Sequence, residues 1–232
     1  MTLVRSLSCA AASIAILASV GVAQGASFTG FHLGVDLALN RIKGDTETYV
    51  RIVGPAQSYV TEDSRLEGAE YGIHAGYTHD FGGLLVGLEA SYSANNADDQ
   101  VQAPGVAAPG PGGVIVPPAD SMTYEAQSDI DVVLRLGGRI GNSAAFFMLA
   151  GASWLDIDAQ TTPPAESAGD TLFGYTLGAQ VEVMLFDGVS GRVQYRYSFY
   201  DDSELLFPVN NYQVTMGPQG QSLGVGLSYH FQ

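Results

Sequence analysis

The final segment, Ser222-Leu-Gly-Val-Gly-Leu-Ser-Tyr-His-Phe-Gln232, constrains the fold more than any other stretch of the chain. Leu223, Val225, Leu227, Tyr229 and Phe231 alternate with Ser222, Gly224, Gly226, Ser228 and His230, so large apolar side chains oppose small or polar ones. Strict period two marks a strand with two unlike faces. Soluble sandwich strands alternate as well, but here the apolar face is complete and ends on two aromatics. Such a strand suits lipid on one side and a crowded polar interior on the other.

Seven further segments repeat the pattern. The first strand, Gly30 to Asn40, sends Phe31, Leu33, Val35, Leu37 and Leu39 outward and His32, Gly34, Asp36, Ala38 and Asn40 inward. The second, Ala69 to Thr78, has Tyr71, Ile73, Ala75 and Tyr77 outward, with Glu70, Gly72, His74 and Gly76 inward. The third puts Leu84, Val86, Leu88, Ala90 and Tyr92 out and Gly87, Glu89, Ser91 and Ser93 in. The fourth, Ser128 to Ile140, faces lipid with Ile130, Val132, Leu134 and Ile140 and the interior with Asp129, Asp131, Arg135 and Arg139. The fifth, Ala145 to Leu155, can be phased two ways, either with Phe146, Met148 and Trp154 outward or with Phe147, Leu149 and Leu155 outward. The first is preferred, because tryptophan suits a membrane interface. The sixth, Leu172 to Leu185, points Phe173, Tyr175, Leu177, Ala179, Val181 and Val183 out and Glu182 in. The seventh, Val189 to Tyr200, points Val193, Tyr195, Tyr197 and Phe199 out and Arg192, Gln194, Arg196 and Ser198 in.

Connection lengths alternate as regularly as the strands. Asp80-Phe-Gly-Gly83, Gly141-Asn-Ser143 and Asp187-Gly188 are tight turns, whereas Arg41 to about Gly68, Asn95 to Tyr124, Asp156 to Asp170 and Asp201 to about Gly220 read as long loops. The second of these contains Ala108-Pro-Gly-Pro-Gly-Gly113 and reads as mobile, since proline removes ladder donors. The expectation is an all-β fold: an eight-stranded antiparallel up-and-down transmembrane β-barrel. Its tight turns would lie on the periplasmic side and its long loops outside.

Composition fits this. Only 14% of residues are charged, against roughly 25% in typical soluble domains. No segment past the N-terminus approaches the ~18 consecutive apolar residues of a membrane helix. Residues 1–26 read as a signal peptide, with Arg5 as its positive end, Ala10 to Val22 as its apolar core and small residues through Ala26 for cleavage. Residues 27–232 would then form the barrel. Cys9 precedes the apolar core and has Ser6 rather than leucine three residues before it, so it is not read as a lipoprotein site; as the one cysteine of the sequence, it leaves the exported chain without a disulfide.

Leu134-Arg-Leu-Gly-Gly-Arg-Ile-Gly141 with Leu149-Ala-Gly-Ala-Ser-Trp154 resembles the small outer-membrane β-barrel family, which includes opacity-type proteins and the OmpA transmembrane domain. Gly174-Tyr-Thr-Leu-Gly-Ala-Gln-Val-Glu182 and Val193-Gln-Tyr-Arg-Tyr197 are similar to its next two strands. Gly224 to Phe231 looks like its C-terminal signal, which implies recognition of Gly226, Tyr229 and Phe231 by the barrel assembly machinery; here Gln232 follows the aromatic. The resemblance implies a bacterial outer-membrane location and no catalytic residues.

An eight-stranded barrel is just wide enough for side chains to fill. The expected polar network comprises Asp36, Glu70, His74, Glu89, Asp129, Asp131, Arg135, Arg139, Glu182, Arg192 and Arg196. Buried charges are costly unless paired. A turn centred on Asp187 would set Glu182 opposite Arg192, and a two-residue turn at Phe81-Gly82 would set His74 opposite Glu89. No nucleophile motif, paired-histidine metal spacing or phosphate loop occurs, so no enzyme, cofactor or metal is expected. The net charge of −15 argues against nucleic acid as a partner. Outer-membrane lipid and lipopolysaccharide are the expected surroundings. The expected role is structural, with loops for surface contact and an unidentified extracellular partner. The alternative is a narrow, weakly cation-selective porin.

Overall fold

Inside a membrane no water satisfies backbone donors and acceptors, so strands must pair on both edges and the sheet must close. The computed structural model describes residues 28–51, 57–101, 106–107, 115–116, 121–162, 166–207 and 212–231. Eight long strands close into a barrel: β1 Gly30–Arg51, β2 Gln57–Asp80, β3 Leu84–Val101, β4 Ser121–Ile140, β5 Ala144–Thr162, β6 Glu166–Phe186, β7 Val189–Tyr200 and β8 Tyr212–His230. Each pairs antiparallel with the next. β1 also pairs with β8, from His32 opposite His230 to Val50 opposite Tyr212, and so joins the two edges. A short strand, Ser203–Phe207, continues the line of β7 along β8. A two-residue ladder, Val106–Ala107 with Ile115–Val116, lies between β3 and β4. The expected signal peptide, residues 108–113 and Gln232 lie outside the described residues.

The outer face is apolar where alternation predicts it. Phe31, Leu33, Val35, Leu37 and Leu39 of β1 are all exposed, as are Tyr71, Ile73 and Tyr77 of β2 and Leu223, Val225, Leu227 and Tyr229 of β8. On β5, Phe146, Met148 and Trp154 are outside, while Phe147, Leu149 and Leu155 are buried.

Two features differ from the sequence reading. First, the long connections are largely strand. β1 and β2 stay paired as far as Arg51 opposite Gln57, and β5 and β6 as far as Thr161 opposite Glu166. From Leu39 to Arg51 the first hairpin rises about 40 Å along the strand, at about 3.4 Å per residue. These stretches read as loops because the lipid-facing signal stops at Leu39, although the backbone ladder does not. Above it the polarity inverts: Arg41, Lys43, Arg65 and Glu67 are half-exposed or exposed, while Ile42 and Leu66 are buried.

Second, the β2–β3 turn is displaced by one residue. Its centre is Gly82-Gly83, at φ 82° and 111°, and the Phe81 N–H donates to the Leu84 carbonyl at 2.8 Å. The favoured two-residue hairpin needs positive φ at both central positions. Glycine adopts this without steric cost; Phe81 would not. His74 therefore faces Ser91, and Glu89 faces Gly76. Because a Cβ at Gly83 would meet nothing within 4 Å, the cost of Gly83→Ala is purely that of the backbone. We expect that variant to lose about 1–2 kcal/mol, read as a lower urea midpoint in folded micelles.

The interior has three layers. At the tight-turn end, Phe28, Leu85, Val133, Ala145, Phe147, Leu149 and Met184 form one apolar cluster. At the hairpin end, Ile42, Leu66, Ala97, Tyr124, Ala126, Leu155, Ile157, Ala159, Leu172, Leu205 and Met216 form another. Charged side chains fill the space between.

Candidate functional site

The middle layer centres on Glu89 of β3. Its neighbour across the β2 ladder is Gly76, where a Cβ would collide with the His32 ring, so the missing side chain makes room for the belt. Glu89 Oε2 accepts from Arg135 Nη1 at 3.1 Å and Arg192 Nη1 at 2.8 Å, and lies 3.2 Å from His32 Nε2. Arg196 Nη2 stands 3.6 Å from the other oxygen. One carboxylate thus serves three guanidinium groups from β4 and β7.

Those guanidinium groups reach further acids. Arg192 makes a two-pronged contact with Asp36, Nε to Oδ1 at 2.8 Å and Nη2 to Oδ2 at 2.5 Å. This planar geometry is among the strongest available to an ion pair. Arg135 Nη2 donates to Glu182 Oε2 at 2.5 Å, and its guanidinium carbon lies 4.2 Å from the Phe147 ring centroid. The other Glu182 oxygen takes the Ser190 hydroxyl at 2.6 Å and lies 2.8 Å from His230 Nε2. Arg196 Nη1 donates to Asp131 at 2.5 Å and to Ser91 at 3.1 Å. Glu89, Glu182, Arg135 and Arg192 are each about 1% exposed. Every one of these charges is therefore held by partners rather than by water, as burial requires.

Asp36, His74, Glu89, Asp131, Arg135, Glu182, Arg192 and Arg196 come together in this belt. Glu70 and Asp129 lie beside it toward the hairpins, where Ser222 donates to Glu70 at 3.1 Å and Asn95 to Asp129 at 2.8 Å. Arg139 is not part of it. It pairs with Asp80 at 2.6 Å by the β2–β3 turn, with a third of its side chain exposed. Alternation assigns a face but not a depth, and Arg139 has the inward phase at the barrel rim. Glu182 does face Arg192 in the ladder, yet the two bind other partners. His74 contacts Asp36 rather than Glu89, at 2.7 Å through Nδ1.

His32, His230, Ser190 and Ser228 also belong to the belt, although the expected network omits them. The inward phase of β1, β7 and β8 marks all four, since Ser190 alternates in step with Arg192 and Ser228 with His230. Gly226 faces inward, where a Cβ would strike the Asp36 carboxylate, whereas Tyr229 and Phe231 are outside, edge to face at 5.1 Å.

Asp36, His74 and Ser228 form a carboxylate–imidazole–hydroxyl chain, the hydroxyl 2.9 Å from His74 Nε2. The connectivity is that of a hydrolytic triad, but Ser228 is 3% exposed and His74 1%, so no substrate reaches them in this arrangement. Among the described residues no group of three or more His, Cys, Asp or Glu side chains could hold a metal ion. Beside Asp131, Arg196 and Ser222 is a void of about 20 Å³, room for about one water molecule.

A family model for the outer membrane protein beta-barrel domain matches residues 9–231. Over 93 residues the chain is 28% identical to a 22 kDa outer membrane protein of Rhizobium leguminosarum bv. viciae, covering 40% of this chain and 44% of that protein. Among solved structures, the outer membrane protein OprG from Pseudomonas aeruginosa superimposes with a TM-score of 0.52 at 12% identity, covering 91% of this chain and all of that one. Neisserial surface protein A gives 0.48 at 13% identity, over 88% and 98% of the two chains.

Proposed function

The chain belongs to the outer membrane protein β-barrel domain family, and from its place in the outer membrane we propose a structural and surface-contact role with a closed lumen. The tight turns face the periplasm and the tall hairpins stand outside. The observation that carries this reading is the layering of the interior, with a paired charge belt between two apolar clusters. A porin needs a continuous wet path, and the apolar clusters interrupt it on both sides of the belt. The belt then serves the barrel, fixing strands across the lumen, and no catalytic part falls to Asp36, His74 or Ser228. Exposed acids on the hairpin side, among them Asp98, Asp170, Asp201, Asp202 and Glu204, favour contacts with cationic or neutral partners over nucleic acid. The C-terminal strand, through Gly226, Tyr229 and Phe231, is the segment offered to the assembly machinery.

Solute flux tests the reading. Vesicles carrying the refolded barrel should swell in an arabinose solution no faster than protein-free vesicles. Swelling that scales with barrel content would support the porin instead.

A further inference from the structure

The sequence holds nine Lys and Arg residues, and their placement is uneven. Arg5 lies in the expected signal peptide. Arg135, Arg192 and Arg196 are in the lumen, and Arg139 is at the tight-turn rim. The remaining four, Arg41, Lys43, Arg51 and Arg65, all belong to the β1–β2 hairpin. In a chain of net charge −15, every cation available on the hairpin side sits on one pair of strands.

Of these, Arg41, Lys43 and Arg65 have described side chains. Arg41 and Lys43 are the next outward residues of β1 above Leu39, about 7 and 14 Å further along the strand. A tilt near 45° lifts them about 5 and 10 Å above the apolar band, in and just beyond a headgroup layer of roughly 5–8 Å. Lys43 stands opposite Arg65 in the ladder, and both are exposed. Like charges placed directly opposite repel, which an anion between them would reverse. Among the described residues neither side chain has a carboxylate partner; Asp99 accepts only the backbone N–H of Arg65, at 2.7 Å. Arg41 is held by Glu67 at 2.6 Å. On the β8 side the facing residues are Gln221 and Gln219, which are neutral donors.

Below this ridge, beyond the Leu39–Ala69 rung, the lipid-facing wall from β7 through β8, β1 and β2 to β3 carries an apolar groove of about 840 Å³, lined by Val35, Leu37, Tyr71, Ile73, Tyr92 and Leu227 among others. Its size is that of a ligand site. In a bilayer an apolar groove has little preference among acyl chains, since all are equally apolar. The cations at its upper rim supply the selection.

We propose that this groove and ridge form a binding site for a phosphorylated glycolipid of the outer leaflet, of the lipid A class. An acyl chain lies between Tyr71, Tyr92 and Leu37, and the phosphates lie on Lys43, Arg65 and Arg41. The assignment rests on the hairpins facing outward, as proposed above, but not on whether the lumen conducts.

Native mass spectrometry of the refolded full chain tests it, with diphosphoryl lipid A and phosphatidylethanolamine as competing probes. The unmodified protein should retain lipid A preferentially. Lys43→Gln with Arg65→Gln and Arg41→Gln should lower that retention at least tenfold, while the rim variant Arg139→Gln leaves it unchanged. The single variant Lys43→Gln, which alters only an exposed side chain, should give a smaller loss in the same direction. Ala94→Trp, which fills the groove, should also lower retention. Equal retention of the two lipids, or no loss in the charge variants, overturns the proposal. Full displacement of lipid A by inorganic phosphate would mark a simple anion site and overturn it too. No loss with Ala94→Trp would overturn the acyl-chain half. Each is read independently of vesicle swelling.

Discussion

Glu89→Leu should destabilise the barrel by about 3–5 kcal/mol, the usual cost of removing one partner from a buried ion-pair network. The carboxylate is within 3.6 Å of Arg135, Arg192 and Arg196, and the change leaves those guanidinium groups short of one negative charge in a region closed to water. Arg192 retains Asp36 and Arg135 retains Glu182, so the fold should persist in weakened form. The measurement is equilibrium unfolding in urea with the protein in lipid, followed by heat-modifiable migration on a gel. Glu89→Gln keeps the shape and some hydrogen bonds and should cost less than Glu89→Leu. Equal stability of the unmodified and leucine proteins would mean that the belt contributes nothing to the barrel.

Phe147→Ala should cost about 3–5 kcal/mol, as truncation of a buried aromatic side chain does. Phe147 is fully buried in the lower apolar cluster, and its ring also supports the Arg135 guanidinium. Phe147→Leu restores most of the apolar volume but not the ring, so it should fall between the two. Comparing the three proteins by the same unfolding assay separates packing from the cation–π contact. A Phe147→Ala protein within experimental error of the parent would show that the seal at the tight-turn end is not packed as described.

The strands and their phase were legible because lipid imposes one rule on every outward residue. Phe31, Leu33, Val35, Leu37 and Leu39 obey it without exception, and Trp154 was enough to choose between two phases of β5. The β2–β3 register was not legible to the residue. Asp80-Phe-Gly-Gly83 offers two adjacent turn centres, and the choice depends on φ values that Phe81 cannot adopt cheaply. Partner choice inside the lumen was also hidden. Ladder register sets Glu182 opposite Arg192, but the long guanidinium side chains reach strands that are not neighbours. Arg192 of β7 therefore binds Asp36 of β1 and Glu89 of β3, while Glu182 of β6 binds Arg135 of β4. The upper apolar cluster escaped for a different reason. Ile42 and Leu66 each stand alone between exposed charged residues, which resembles a loop, although the same alternation continues with its polarity reversed.

The central claim is that the lumen is closed, and single-channel recording of the refolded protein in a planar bilayer tests it most directly. A demonstrably folded barrel should give no steady conductance steps, because two apolar clusters flank the charge belt. Reproducible, cation-selective openings whose selectivity changes on mutation of Arg135 or Arg192 would contradict the account and make the belt the lining of a channel.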